Sequence, residues 1–388
     1  MRKVEDILFA LLYSEIKKQS AESIKNQITP EIMGELLELS KRHDLSHIVA
    51  NSLAKLGLLG EDETSKKFQT NRFSAVIRYA KTHQELESIS TVLEKNKVAF
   101  IPLKGAVISK LYPEPWMRTS CDIDILVKEE DLDRAIDALK CGLGYEGSGE
   151  RNYHDVDLRS KNGVHLELHY NILEKMENID KLLSKVWDYV QLERGEYCYA
   201  QIKEYLVFHV VAHTSYHFVN GGCGIKPFID LYLLRKSGYN ETKVREFCES
   251  CGILEFYDKL FELVDVWFGE NPHTDVTTQM EEYVLTGGVY GTIENKLAVK
   301  QTEKGGKAKY LRSRIFVPSS VIKEYYPIAE KHPCLVPFMQ VRRWFRIIFC
   351  GGAKRSMQEI SISQNVTKEQ TNKIDYLLTN LGLKPKNK

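Results

Sequence analysis

The feature that most constrains this chain is an apolar run with acids at alternate positions, "CDIDILV" over residues 121–127. In a strand, alternation puts Asp122 and Asp124 on one face and Ile123, Ile125 and Val127 on the other. The apolar face requires a core. The acidic face brings two carboxylates close together, and burying them uncompensated is costly. Either the strand lies at a sheet edge with its acids in water, or a hard divalent cation such as Mg²⁺, which takes oxygen ligands, balances them.

The preceding stretch favours the cation. In "FIPLKGAVISKLYPEPWMRTS", residues 100–120, a short strand ends at Lys104-Gly105 and opens a helix, turning backbone N–H groups toward an anion. Lys104 adds a positive charge there. Arg118, four residues before Asp122, offers a planar fork suited to bidentate phosphate binding. Anion-binding elements followed by a metal dyad suit a nucleoside triphosphate bound with Mg²⁺.

A third acid comes from a predicted hairpin. "HDVDLRS", "KNG" and "VHLELHY" read as strand, Asn162-Gly163 turn and strand. Val164, Leu166 and Leu168 share one face, and His165, Glu167 and His169 the other. If this strand lies beside the first, Glu167 completes a three-carboxylate cluster with His169 next to it. A second D-x-D, Asp155-Val156-Asp157, has no glycine turn before it and reads as solvent-facing.

Around this centre the chain reads as α+β. Residues 1–95 are helical by apolar spacing, residues 96–177 form a small mixed β-sheet with helices, and residues 178–388 are again mostly helical. Residues 286–314 interrupt that last region with "TGGVYG" and a basic segment holding Lys300, Lys304, Lys307, Lys309, Arg312 and Arg314, read as a solvated loop. "RRWFRIIF" mixes cations and aromatics. It is expected to pack one helix face while its arginines stay wet, a base or a membrane surface being the sharper alternative.

"LKGAVISKLYPEPWMRTSCDIDILV" resembles the signature of an uncharacterised bacterial nucleotidyltransferase family within the DNA polymerase β-like superfamily. The resemblance covers residues ~96–172 and extends less specifically into "HVVAHTSYHF", "IKPFIDLYLL" and "YYPIAEKHPCLVPFMQVRRWFR". It implies a nucleotidyltransferase palm flanked by helical regions. Gly105 would be the phosphate-loop glycine, Asp122 and Asp124 metal ligands, and Glu167 the third carboxylate. Ala106 stands where many superfamily members carry Ser, which removes one hydroxyl contact, and the third acid is Glu rather than Asp. The implied activity is Mg²⁺-dependent transfer of a nucleoside monophosphate from an NTP, ATP by default, with two ions in the active complex. The acceptor is left open among a small molecule, a protein side chain and an RNA end. Lys104, Gly105, Ala106, Arg118, His169 and His213 are the nucleotide-binding candidates. Two other readings stay open: an inactive nucleotide- or partner-binding module, and a toxin–antitoxin or defence protein that modifies a partner.

Other features point less sharply. His209, His213 and His217 recur every four residues and line one helix face, with Asp230 as a distant candidate ligand. The row lacks the H-E-x-x-H arrangement of zinc hydrolases, so a core or cleft-facing histidine row is expected. Cys248 and Cys251 form a lone C-x-x-C, read as two thiols on a helix. A net charge of +1 gives no global pull toward nucleic acid or membrane. No apolar run reaches membrane-spanning length, and the eight cysteines lack a framework spacing, so a cytoplasmic location is expected. The N-terminal "ILFALLY" is flanked by Glu5, Asp6 and Glu15 and reads as a helix face rather than a leader. The oligomeric state is not legible.

Overall fold

The computed structural model describes residues 3–349 and 352–384. The chain is α+β and divides into two compact units, Met1–Tyr216 with Gly224–Val289, and His217–Cys223 with Tyr290–Lys388.

The first unit holds an open six-stranded mixed sheet in the order β3-β4-β2-β1-β6-β5. The strands are β1 (Phe100–Pro102), β2 (Asp122–Val127), β3 (Asp155–Arg159), β4 (His165–His169), β5 (Val190–Arg194) and β6 (Cys198–Gln201). β3 and β4 form the expected antiparallel hairpin, with Gly163 at φ 77° in the turn, a conformation that glycine adopts without strain. β4 then lies parallel to β2, opposing Asp122 to His165, Asp124 to Glu167 and Leu126 to His169. β1 is antiparallel to β2 on its other side.

The apolar face of these strands fixes the register. Ile123, Ile125 and Val127 pack with Val156, Leu158, Leu166 and Leu168 against Ile89 and Leu93 of the Glu63–Lys95 helix and Leu132, Ile136 and Leu139 of the Leu132–Leu143 helix. A one-residue slip would turn the two aspartates into that core and the isoleucines out. With roughly 1.5–3 kcal/mol for each buried aliphatic side chain, the apolar face decides which way the acids point.

β5 and β6 lie where the sequence reads as helical. β5 is mostly exposed and β6 has only four residues, so neither shows the alternation that marks a half-buried strand. Their connection is held from outside: the Glu94 carboxylate accepts the amides of Glu196, Tyr197 and Cys198 at 2.9–3.2 Å.

In the second unit the basic segment is mostly helical rather than a loop, with Lys300 on the Ile293–Glu303 helix, Lys304 just beyond its end, and Lys307, Lys309, Arg312 and Arg314 on the Lys307–Ile315 helix. The Glu359 carboxylate explains this, accepting from Tyr310 Oη at 2.6 Å and from Arg314 at 2.7 Å. "RRWFRIIF" lies on the Val336–Phe349 helix, where Trp344 Nε1 donates to the Ile315 carbonyl at 2.8 Å. Phe338, Phe345 and Phe349 are exposed, so the aromatics of this helix pack less completely than its pattern suggests. "TGGVYG" includes the connector between the Asp275–Gly287 and Ile293–Glu303 helices. Each described cysteine is free, Cys248 and Cys251 included. Among the described residues, no helix is long and apolar enough to cross a membrane.

Candidate active site

The parallel β2–β4 pairing brings the three acids onto one face. Donor atoms of Asp122, Glu167 and His165 lie within 4.8 Å of one another, as do those of Asp124, Glu167 and His169. Glu167 belongs to both groups and joins them. Ser120 Oγ donates to Asp122 Oδ1 at 2.6 Å, which orients that carboxylate. His169 Nε2 lies 3.0 Å from Asp124 Oδ1 and 3.5 Å from Glu167 Oε2.

These contacts set the charge states. Burial pushes the Asp124 carboxyl up, but the His169 hydrogen bond and the nearby charges of Lys104, His169 and His213 outweigh it and hold the group well below the usual carboxylate range. Burial pulls the His169 imidazole down, but hydrogen bonds to Asp124 and Glu167 outweigh that and raise it to about 9. Asp124 is therefore an ionised oxygen donor at neutral pH, as a hard cation requires.

The Lys-Gly bend stands beside this face. The Leu103 amide donates to the Asp124 carbonyl at 3.0 Å, tying the end of β1 to the acidic strand. Lys104 takes φ 37°, ψ −103°, a sparsely populated conformation for a residue with a Cβ. A one-turn helix, Gly105–Ile108, follows. The amides of Ala106, Val107 and Ile108 bond back to Leu103 and Lys104. Among the described residues, nothing accepts from the Gly105 amide. A Cβ added at Gly105 would lie 3.5 Å from Ser120 Cβ and 3.6 Å from Arg118 Nη1. That spacing is ordinary contact, so the missing side chain leaves room rather than relieving a clash.

Arg118 is directed elsewhere than its spacing suggests. Its Nε lies 3.0 Å from both Asp230 carboxylate oxygens and its Nη2 3.0 Å from Oδ2, while Nη1 donates to the Thr119 carbonyl at 3.1 Å. The bidentate partner is thus the buried Asp230, which also accepts from Tyr112 Oη at 2.7 Å. Arg118 still lines the cleft beside Gly105.

Behind the bend, Lys104 Nζ lies 3.5 Å from both ring nitrogens of His213. His213 Nδ1 is 2.5 Å from Oε1 of the buried Glu174. The histidine row does not converge. His209 Nδ1 meets the Gln201 side chain at 3.2–3.3 Å, and burial holds its imidazole well below the ordinary value. Asp230 serves Arg118 and Tyr112. No metal-type cluster containing His209, His213 or His217 is found among the described residues.

The competing D-x-D also differs from its sequence reading. Asp157 is exposed, as expected, and pairs with His165 Nε2 at 2.8 Å, but Asp155 is buried rather than solvent-facing. The reason is register: Asp155 opposes His169 and Asp157 opposes Glu167, so both share the acidic face of β2 and β4.

A cleft opens over Gly105, Ser120, Asp122 and Asp124. Its far wall is Arg78, Tyr79 and His83 of the Glu63–Lys95 helix, with the Tyr79 and His83 rings stacked at 5.5 Å. Sequence reasoning missed this wall. Helical periodicity shows which face of a helix is apolar, not what its polar face looks onto.

A family model described as "Uncharacterised nucleotidyltransferase" matches residues 30–269, a span that takes in the cleft wall, the whole sheet and Asp230. No curated protein and no solved structure matches the chain.

Proposed function

The chain belongs to the uncharacterised nucleotidyltransferase family, and on that premise we propose that it transfers a nucleoside monophosphate from an NTP, ATP by default, to an acceptor in a Mg²⁺-dependent reaction. One observation carries the reading: Asp122 and Asp124 share one face with Glu167 of a later strand, beside an unpartnered glycine amide. The oxygen-rich donor set and the ionised Asp124 fit a hard divalent cation. Two Mg²⁺ ions held by Asp122, Asp124 and Glu167 would neutralise charge on the attacking and leaving oxygens.

The protein's own work is alignment and charge placement. An acceptor oxygen attacks the α-phosphorus, and the bond from that phosphorus to the α,β-bridging oxygen breaks. Pyrophosphate leaves with the bonding electrons, and the acceptor proton passes to Glu167. Lys104, the Gly105 amide and the Nη1 edge of Arg118 hold the β- and γ-phosphates. Ala106 lines the same turn. His169 orients Asp124, and His213, held by Glu174, positions the Lys104 ammonium.

The test is label transfer from ATP carrying a radioactive α-phosphate into an acceptor in cell extract. Asp122→Asn and Asp124→Asn should each lower transfer roughly 10²–10³-fold, the size of losing a group that stabilises developing charge. Transfer unchanged in both variants would refute the assignment.

A further inference from the structure

We propose a second metal site on the outer side of the acidic face, formed by His154, Asp155 and His169 and suited to a borderline transition ion of the zinc type rather than to Mg²⁺. One donor atom from each of the three lies within 4.8 Å of the others. The arrangement follows from register, because Asp155 on β3 opposes His169 on β4 and His154 directly precedes Asp155. Two imidazoles and one carboxylate form a donor set that zinc binds and Mg²⁺ does not favour.

A second, independent observation points to the ion. His169 is buried, and its Nε2 is engaged by Asp124 and Glu167. Its Nδ1 is also buried and finds no hydrogen-bond partner among the described residues. An orphaned buried polar atom costs on the order of 1–3 kcal/mol. Nδ1 is the nitrogen left to ligate, and it lies across the ring from a carboxylate-bound Nε2. That carboxylate–histidine–metal order is how metal-binding imidazoles are usually oriented and made more basic.

The other two donors are also prepared. Asn152 Nδ2 donates to Asp155 Oδ1 at 2.6 Å, leaving Oδ2 directed at His154 Nε2, 3.0 Å away. The His154 ring stacks on His169 at 5.3 Å between centroids. Zn–N bonds of about 2.0–2.1 Å place tetrahedral donors roughly 3.3 Å apart, so a small turn of the half-exposed His154 closes the remaining gap. Three protein donors leave a fourth position open to solvent or a ligand. Binding an ion at Nδ1 releases that nitrogen's proton to solvent, and the remaining ring proton sits on Nε2 and is donated to Asp124. An ion at this outer site would thereby fix the hydrogen bond that orients the acid cluster. This inference stands on His154, Asp155 and His169 and does not require the transfer reaction.

The experiment titrates the chelator-stripped full chain with Co²⁺, a coloured probe of zinc sites, and follows visible d–d absorption. Asp122→Asn serves as the control for the acid cluster. The proposal expects one equivalent of Co²⁺ with a low-coordinate spectrum, displaced by Zn²⁺. The affinity should fall 10–100-fold in His154→Gln, a loss typical of disrupting a metal's ligand environment, and should persist in Asp122→Asn. Equal Co²⁺ affinity in wild type and His154→Gln would overturn it. So would a Co²⁺ spectrum lost in Asp122→Asn but kept in His154→Gln, because the ion would then sit in the acid cluster.

Discussion

Lys104 is held at φ 37° between a strand and a single helical turn, a conformation that costs of order 1–3 kcal/mol for a residue with a side chain. The bonds from Leu103 to Asp124 and from Ile108 to Lys104 keep it there. The next residue, Gly105, opens the helical turn with its amide unpartnered and its Cα facing the cleft. Gly105→Ala tests this directly. The added methyl meets only ordinary contacts, so the melting temperature should stay within about 2 °C, a surface-substitution effect of less than ~0.5 kcal/mol. NTP binding should weaken at least tenfold, because the methyl occupies the phosphate's place. A large loss of stability with binding intact would mean that the glycine serves the fold instead. At this scale the acids were legible, since period-two alternation fixes which side chains share a face. Their histidine neighbour was only half legible: the sequence put His169 beside Glu167, but its contact with Asp124 depends on β2 and β4 being parallel neighbours.

At the scale of elements, the site is a sheet braced from behind by helices. Arg118 lies four residues before β2 and Asp230 on the Lys226–Lys236 helix, and their buried pair ties the two together. Breaking such a pair from one side strands a buried charge and costs about 3–5 kcal/mol. Asp230→Ala should therefore lower the urea midpoint by a matching amount. A midpoint unchanged from wild type would show that the pair contributes no net stability. The sequence displayed both residues but not their pairing, because 112 positions separate them and no local period links them. The same holds for Arg78, Tyr79 and His83, which belong to a helix well before the palm signature. β5 and β6 escaped for a different reason: an exposed strand paired with a four-residue one, their connection held by Glu94, has little hydrophobic pattern to read.

Across the whole molecule, buried histidines set the pH response. Burial pulls His43 and His47 down to about 4 and His209 well below its ordinary value. Their folded values lie below the unfolded 6.5, so the unfolded chain binds protons first. The stability they contribute is full above pH 6.5 and is lost as pH falls from 6.5 through 4. Melting temperature should drop across that window. A flat profile between pH 6.5 and 4 would contradict the burial of these rings as neutral groups.

The central claim is that three acids on one sheet face jointly hold the cation that seats a triphosphate against the Lys104–Gly105 bend. Calorimetric titration of ATP into the full chain, with and without Mg²⁺, tests it most directly. Saturable binding should appear only with Mg²⁺ and disappear in Asp124→Asn. Equally tight ATP binding in excess chelator, or binding unchanged by Asp124→Asn, would contradict it.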